Sequence, residues 1–320
     1  MVDRDSVDDL VARALRGDPR SVARLVSLVE NASPRLRELT TALMPHTGNA
    51  TIVGITGSPG VGKSTSTSAL VSAYRTAGKR VGVLAVDPSS PFSGGALLGD
   101  RIRMQEHATD SEVFIRSMAS RGHLGGLAWS TPQAVRVLDA AGCDVVLVET
   151  VGVGQAEVEI ASLADSTVVL LAPGMGDGIQ AAKAGILEIA DLLVVNKADR
   201  DGAQSTVRDL RAMLSLGSRP PGGWRPPVLT TIASRGEGVD EVVAELNRHR
   251  AWMEKTGELA RRRHERAAAE IEALAVASLR QQLDGLHGEA ALPRLADDVI
   301  AGRSDPYRAA DELVAALSRV

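Results

Sequence analysis

The chain has 320 residues with a formal net charge of −4, and 44% of them are hydrophobic while only 2% are aromatic. These values predict a globular protein with an aliphatic core, and they argue against binding to nucleic acid or to an anionic membrane, both of which favour a basic surface. Cys143 is the only cysteine, so an internal disulfide is excluded and we expect a cytoplasmic protein.

The N-terminal segment has the spacing of amphipathic helices. Apolar side chains recur every three or four positions, beginning with Val7 and Leu10, which is the period of a helix with one buried face. Asp18 and Pro19 interrupt this pattern, and proline suits the first turn of a new helix. We therefore predict a helical N-terminal extension over residues 1–45.

From Thr51 onward, short β-branched runs alternate with longer helical stretches. The runs are Thr51–Thr56, Arg80–Val86, Val113–Ile115, Asp144–Glu149, Thr167–Leu171, Leu192–Val195 and Val228–Ile232. Apolar strands separated by helices predict an α/β fold with a mostly parallel sheet buried on both faces. After Val239 the spacing is helical to the end, so we predict a central domain over residues 46–245 and a C-terminal helical arm over residues 246–320.

A glycine-rich segment between the first predicted strand and a predicted helix matches G-x-x-x-x-G-K-S, the P-loop motif. Its residues are Gly57, Ser58, Pro59, Gly60, Val61, Gly62, Lys63 and Ser64, followed by Thr65. Glycines allow backbone N–H groups to converge on phosphate oxygens, and the helix adds its positive N-terminal end. We predict a P-loop NTPase in which Lys63 reaches the β- and γ-phosphates and the Ser64 hydroxyl binds Mg²⁺.

A second motif, N-K-x-D, directly follows the predicted strand Leu192–Val195. An aspartate at the position of Asp199 can accept both the N1–H and the N2 amino hydrogens of guanine, which adenine lacks, so a site built around it discriminates against ATP. Asn196 is expected to hold the loop and approach N7, and the stem of Lys197 to cover the base. These residues predict GTP as the substrate and GDP as the product.

The loop after the last predicted strand is expected to complete the base site. Ile232, Ala233 and Ser234 occupy the position of the S-A-K loop of GTPases, in which an alanine N–H contacts guanine O6. Ala233 is the candidate for that contact. Ile232 replaces the usual first serine of this loop. The assignment therefore depends on the position of the loop after the last strand and not on a full match of its residue types.

Three acidic residues could bind or orient Mg²⁺ together with Ser64. Asp87 and Glu149 end predicted strands, and Asp100 lies in a Gly-Asp-Arg segment. Each could instead cap a helix or solvate a loop, but the two strand-end acids favour a metal site because ligand sites lie at those ends. The segment that begins with Glu149 resembles D-x-x-G with glutamate in place of aspartate.

The residue that orients water in Ras-like GTPases is a glutamine directly after the D-x-x-G glycine. Here Val153 occupies that position, and Gln155 follows two residues later. We take Gln155 with Lys63 as the candidate catalytic residues, and we expect slow intrinsic hydrolysis that a partner accelerates.

The motifs occur together in an order that resembles the MeaB/ArgK family, the GTPases associated with methylmalonyl-CoA mutase. The most specific segments are Arg116–Leu127 and Glu149–Glu157. The resemblance implies a homodimeric chaperone that gates cofactor loading of an adenosylcobalamin-dependent mutase and protects or reactivates it. It also implies a cobalamin adenosyltransferase as a further partner and a dimerisation role for the C-terminal arm.

Alternative functions remain open from the residues alone. A GTP-dependent metal-insertion protein would need Cys/His clusters, whereas this chain has one cysteine and six scattered histidines. A small-molecule kinase would need an acceptor site, and a non-hydrolysing scaffold would not need Lys63 and Ser64. His123, which lies among glycines, is given no role.

Overall fold

The computed structural model describes residues 6–87, 105–107, 109–119, 130–150, 156–174, 187–216, 222–287 and 291–317. The chain divides into two compact units, Met1–Ala260 and Arg261–Val320. The first unit contains the sheet and the nucleotide motifs, and the second is helical.

Three helices form the N-terminal part of the first unit: α1 (Val7–Leu15), α2 (Pro19–Glu30) and α3 (Leu36–Leu43). Pro19 occupies the first turn of α2, as the sequence predicts, and the Asp18 carboxylate caps that helix by accepting from the Ser21 amide at 3.1 Å. Buried side chains of these helices share one hydrophobic cluster with the sheet. The extension is therefore packed into the same core as the central domain.

Seven strands form one sheet, and every strand pair in the described residues is parallel. The strands are β1 (Thr51–Thr56), β2 (Val81–Asp87), β3 (Val113–Ala119), β4 (Val145–Thr150), β5 (Ser166–Leu171), β6 (Leu192–Asn196) and β7 (Val228–Thr231). Their order is β3-β2-β4-β1-β5-β6-β7. The predicted α/β fold is confirmed, and all seven predicted strands are present.

Helices cover both faces of this sheet. They are α4 (Lys63–Thr76), α5 (Ser130–Ala140), α6 (Ala156–Leu163), the short α7 (Leu187–Ile189), α8 (Ala203–Leu216) and α9 (Val239–Thr256). One buried cluster joins α4 and α9 to one face, while two others join α1–α3, α5, α6 and α8 to the opposite face. Because both faces are buried at the centre of the sheet, strands such as β4, β5 and β6 are mostly aliphatic, whereas the edge strand β3 also contains Arg116 and Ser117.

The second unit begins within α10 (Glu258–His287) and also contains α11 (Ala291–Ile300) and α12 (Pro306–Leu317). Its buried apolar side chains in the described part are Leu295 and Ala309. Several large apolar side chains are exposed instead: Ile271, Leu274, Val276, Leu279, Leu292, Ile300, Tyr307 and Val314. Within the described residues, no helix combines the length and the apolarity that crossing a lipid bilayer requires.

Candidate functional site

The glycine-rich loop connects the carboxyl end of β1 to α4, where the backbone has conformations and close contacts that only glycine accommodates. Gly57 has φ 141° and Gly62 has φ 98°. A Cβ atom at Gly57 would lie 2.2 Å from the Leu170 carbonyl oxygen, and one at Gly62 would lie 2.5 Å from Asn196 Nδ2. The two motif glycines therefore let the loop pass between β5 and the N-K-x-D loop.

Lys63 is the first residue of α4 and is folded back over the loop. Its ammonium donates to the carbonyl oxygens of Gly57 at 2.7 Å and Ser58 at 3.2 Å, and the residue is only 8% exposed. These contacts hold a positive charge against the loop beside the N-terminus of α4, which itself favours anions. The predicted residues Gly57 to Thr65 thus lie together at one edge of the sheet.

Glu149 lies in β4, on the strand next to the P-loop strand, and is 4% exposed. Two hydroxyls of α4 donate to its carboxylate: Ser64 Oγ to Oε1 at 2.7 Å and Thr67 Oγ1 to Oε2 at 2.8 Å. The structure therefore brings the predicted residues Ser64 and Glu149 into contact. Sequence reasoning missed Thr67, although its position one helical turn after Ser64 was an available signal.

Of the other predicted metal residues, Asp87 ends β2 and is placed by strand register. Ala85 pairs with Glu149 and Val86 with Thr150, so Asp87 lies at the same carboxyl edge on the neighbouring strand. Asp100 and Gln155 lie outside the described residues.

The donor set fits Mg²⁺. In the described part of the chain, no group of three or more His, Cys, Asp or Glu side chains could hold a metal ion. The oxygen atoms of Ser64 and Glu149 nevertheless meet next to the phosphate loop. Mg²⁺ prefers oxygen ligands, keeps several waters and takes only one or two carboxylates together with phosphates. A sparse, all-oxygen site beside a P-loop is consistent with that preference.

Asn196 connects three loops at the carboxyl ends of β1, β6 and β7. Its Nδ2 donates to the Val61 carbonyl at 2.9 Å, and its Oδ1 accepts from Thr231 Oγ1 and from the Ala233 amide, both at 3.1 Å. Lys197 has φ 57°, a left-handed conformation that is uncommon for residues other than glycine, and its ammonium donates to the Gly60 carbonyl at 2.5 Å. The N-K-x-D loop is thus fastened to the phosphate loop.

The sequence predicts that the Ala233 amide contacts guanine O6, but in the structure this amide has a hydrogen-bond partner within the protein. This amide donates to Asn196 Oδ1 inside the protein. Contact with O6 would require that hydrogen bond to break or to be shared. Ile232 precedes the 3₁₀ turn Ala233–Arg235, in which Ser234 is exposed.

Asp199, the carboxylate predicted to bind guanine, is exposed to solvent. Its side chain is 41% exposed, and Oδ2 lies 4.0 Å from the Arg235 guanidinium. Arg235 in turn lies 3.8 Å from Glu237. Because water reaches this carboxylate, the predicted contact with guanine requires a bound purine that covers it.

A polar groove of about 430 Å³ extends from the base loop along α4. Hydroxyl-bearing residues of α4 (Thr65, Ser68, Ser72 and Thr76) line one side, and Ala233, Ser234, Gly236, Val239 and Asp240 line the other. No local sequence pattern indicates this groove, since its two walls are more than 150 residues apart in the chain.

A buried Ser-His-Asp group lies at the start of β5 and β6, away from the P-loop. His249 Nδ1 is 2.8 Å from Ser166 Oγ, and Nε2 is 3.3 Å from Asp191 Oδ1. His249 is 0% exposed, so a substrate has no access to this group. It connects α9 to the sheet and does not indicate a serine hydrolase. Cys143 is also buried, and burial raises the pKa of its thiol to about 12, which makes it unreactive near neutral pH.

Comparison with known proteins gives consistent matches. Residues 22–286 match the family described as methylmalonyl Co-A mutase-associated GTPase MeaB. The chain is 40% identical over 250 residues to GTPase ArgK of Escherichia coli, covering 76% of this chain and 75% of that protein. It is 37% identical over 274 residues to the mitochondrial methylmalonic aciduria type A homolog of Mus musculus, covering 80% and 66%.

Among solved structures, the chain is similar to a crystal structure of an LAO/AO transport system kinase. The TM-score is 0.73 with 27% sequence identity, and the match covers 99% of both chains.

Proposed function

The chain belongs to the MeaB family and is a P-loop GTPase, and on that premise we propose that it is a Mg²⁺-dependent G-protein chaperone of an adenosylcobalamin-dependent acyl-CoA mutase. In this function, GTP hydrolysis gates the loading of cofactor onto the mutase and protects or reactivates it. The observation that carries the GTPase half is the convergence of Lys63, Ser64 and Glu149 at the phosphate loop, beside a base loop fastened by Asn196.

The hydrolysis reaction breaks the bond between the γ-phosphorus and the β–γ bridging oxygen, whose electron pair stays with GDP, while a water oxygen bonds to phosphorus and the proton of that water passes to the released phosphate or to solvent. The Lys63 ammonium is placed to stabilise negative charge on the phosphates, including the charge that the leaving GDP gains. Ser64 and Glu149 would hold Mg²⁺, which when bound supplies further neutralisation of phosphate charge. The two hydroxyls of α4 that donate to the Glu149 carboxylate hold it in one orientation.

We expect slow intrinsic turnover, which suits a regulatory function better than a metabolic one. Val153 replaces the glutamine that orients water in Ras-like GTPases, and we propose Gln155 as the residue that a partner brings into place. The description of the matching family and the printed name of the mouse relative refer to methylmalonyl or methylmalonic compounds. These names support a mutase of that class as the partner.

The chemistry of the described residues does not favour the metal-insertion alternative. A protein that carries nickel or zinc needs sulfur and imidazole ligands, whereas the ligand set at this site consists of oxygen atoms. The kinase alternative is testable directly, because transfer of labelled γ-phosphate to an acceptor other than water would demonstrate it.

The proposed mutase partnership predicts nucleotide-dependent binding. Immobilised chain is incubated with purified methylmalonyl-CoA mutase and either GDP, a non-hydrolysable GTP analogue or the matching ATP analogue, and retained mutase is quantified. We expect retention to differ between GDP and the GTP analogue, because gating requires different affinities in the two states. The ATP analogue, which carries the same phosphates on another base, should give the same retention of mutase as a sample without nucleotide. Equal retention under all conditions, or none, would contradict the chaperone function.

We also propose that a second copy of the chain covers the apolar surface of the second unit. Ile271, Leu274 and Leu279 are exposed on α10, and an exposed apolar surface of this kind is typical of protein interfaces. The family resemblance supports a homodimer as the assembly that buries it.

The dimer proposal predicts that a charge on α10 disrupts assembly. Leu274→Glu should shift the protein from dimer to monomer in light scattering coupled to size-exclusion chromatography, because a buried unpaired carboxylate is costly in an interface. Ala273 lies on the other side of α10 from these apolar side chains, given roughly 100° per residue, so Ala273→Glu is the matched control and should remain dimeric. A monomeric wild-type protein would contradict the proposal.

A further inference from the structure

Thr67 is a buried hydroxyl next to the proposed metal site that neither the P-loop nor the base motif includes. It follows Ser64 by three residues in α4, so the two side chains occupy adjacent positions on one face of the helix. That face points at β4, and the residue is 0% exposed. Its hydroxyl contacts Glu149 Oε2 at 2.8 Å, whereas Ser64 contacts Oε1.

The single proton of this hydroxyl has two available acceptors. Thr67 Oγ1 lies 3.0 Å from the Lys63 carbonyl oxygen and 2.8 Å from the Glu149 carboxylate. The carbonyl of residue 63 already accepts the amide of residue 67 in a regular α-helix, and a carboxylate is the stronger acceptor because it is charged. The proton is therefore directed at Glu149. The contact thus differs from the common hydrogen bond that a threonine hydroxyl donates to a backbone carbonyl of its own helix.

We propose that Thr67 is a positioning residue that orients the Glu149 carboxylate for Mg²⁺. The proposal rests on the proposed Mg²⁺-dependent function. The two hydroxyls contact different oxygens of the carboxylate: Ser64, in the phosphate loop motif, donates to Oε1, while Thr67, one turn further along α4, donates to Oε2. Groups that hydrogen-bond to metal ligands fix the ligand orientation and affect metal affinity.

If Thr67 had a purely structural function, Thr67→Val would leave the Mg²⁺ dependence of nucleotide binding unchanged. Valine has nearly the same shape as threonine, so packing in α4 would survive Thr67→Val, while the hydrogen bond to Glu149 would be lost. Thr206 provides a matched control in α8. It is also buried, and its hydroxyl donates to the Gly202 carbonyl at 3.2 Å, so Thr206→Val removes a helix hydroxyl that does not contact Glu149.

The experiment measures binding of a fluorescent GDP analogue to the full-length protein as a function of Mg²⁺, including a series in EDTA. For Thr67→Val we expect the Mg²⁺ concentration at half-effect to rise by about 10- to 100-fold, the usual cost of losing a residue that supports a metal ligand. Nucleotide affinity in EDTA should stay at the wild-type value. Thr67→Ser should restore the wild-type Mg²⁺ dependence, and Thr206→Val should not change it. Thr67→Ala serves as a second variant without the hydroxyl, should the valine variant not fold.

Three outcomes would overturn the proposal while leaving the proposed function intact. These are an unchanged Mg²⁺ midpoint in both variants that lack the hydroxyl, an equal loss of affinity in EDTA, or a failure of Thr67→Ser to restore the midpoint. A wild-type protein whose nucleotide binding ignores Mg²⁺ would instead refute the Mg²⁺-dependent function, and the positioning function of Thr67 with it.

Discussion

Lys63→Ala is expected to abolish GTP hydrolysis, with a loss in kcat of at least about 100- to 1,000-fold, the usual effect of removing one group that stabilises charge in the transition state. The Lys63 ammonium is held against the phosphate loop by the Gly57 and Ser58 carbonyls. No other cation has hydrogen bonds to these two carbonyls within the described residues. Single-turnover release of phosphate from GTP measures this loss without interference from nucleotide exchange.

The control for this variant is a lysine of the same unit that lies far from the loop. Lys79 is exposed, with its ammonium 3.4 Å from Asp144, so Lys79→Ala should hydrolyse GTP at the wild-type rate. Thermal unfolding of both variants shows whether the fold is retained. Hydrolysis by a folded Lys63→Ala protein within tenfold of wild type would contradict the assigned function of Lys63.

Asp199→Asn is expected to weaken GDP binding by about 100-fold. Two hydrogen bonds to a charged group contribute about 1.5–3 kcal/mol each, and the lower value applies because the Asp199 side chain is 41% exposed. About 1.4 kcal/mol corresponds to a factor of ten, which gives this estimate. Titration calorimetry with GDP measures the change.

Xanthine nucleotides provide the specificity control for this variant. Xanthine carries a carbonyl at C2 where guanine has an amino group, so the amide of the introduced asparagine can donate to it and affinity for xanthosine diphosphate should rise. Glu237 is an exposed carboxylate that also lies near Arg235, so Glu237→Gln should leave GDP binding unchanged. Unaltered GDP affinity in Asp199→Asn would refute the assignment of the base reader.

The strand β3 is longer than the sequence pattern predicts. The predicted run stops at Ile115, because Arg116 and Ser117 are polar, whereas the strand continues to Ala119. Arg116 Nε donates to Glu30 of α2 at 3.1 Å, and this pairing allows a charged side chain to lie partly buried beside the sheet. The partner lies 86 residues away, so no local pattern could have predicted the longer strand.

The base site shows the same division between local and tertiary information. The sequence predicted that Asn196 holds its loop, since the motif and its position after a strand are local features. It did not predict that Oδ1 of this residue takes the Ala233 amide, or that Asp199 is exposed next to Arg235. Those contacts depend on how β6 and β7 are paired, which brings together loops that are distant in the chain.

The sequence by itself determined the order of strands and helices, the phosphate loop and the base motif. These features depend on side-chain periodicity and on backbone conformations that only certain residues adopt, and both are properties of short segments. The tertiary structure decided which hydroxyls meet the Glu149 carboxylate. Ser64 and Thr67 reach it only because β4 pairs with β1 in the sheet, a contact between segments more than 80 residues apart in the chain.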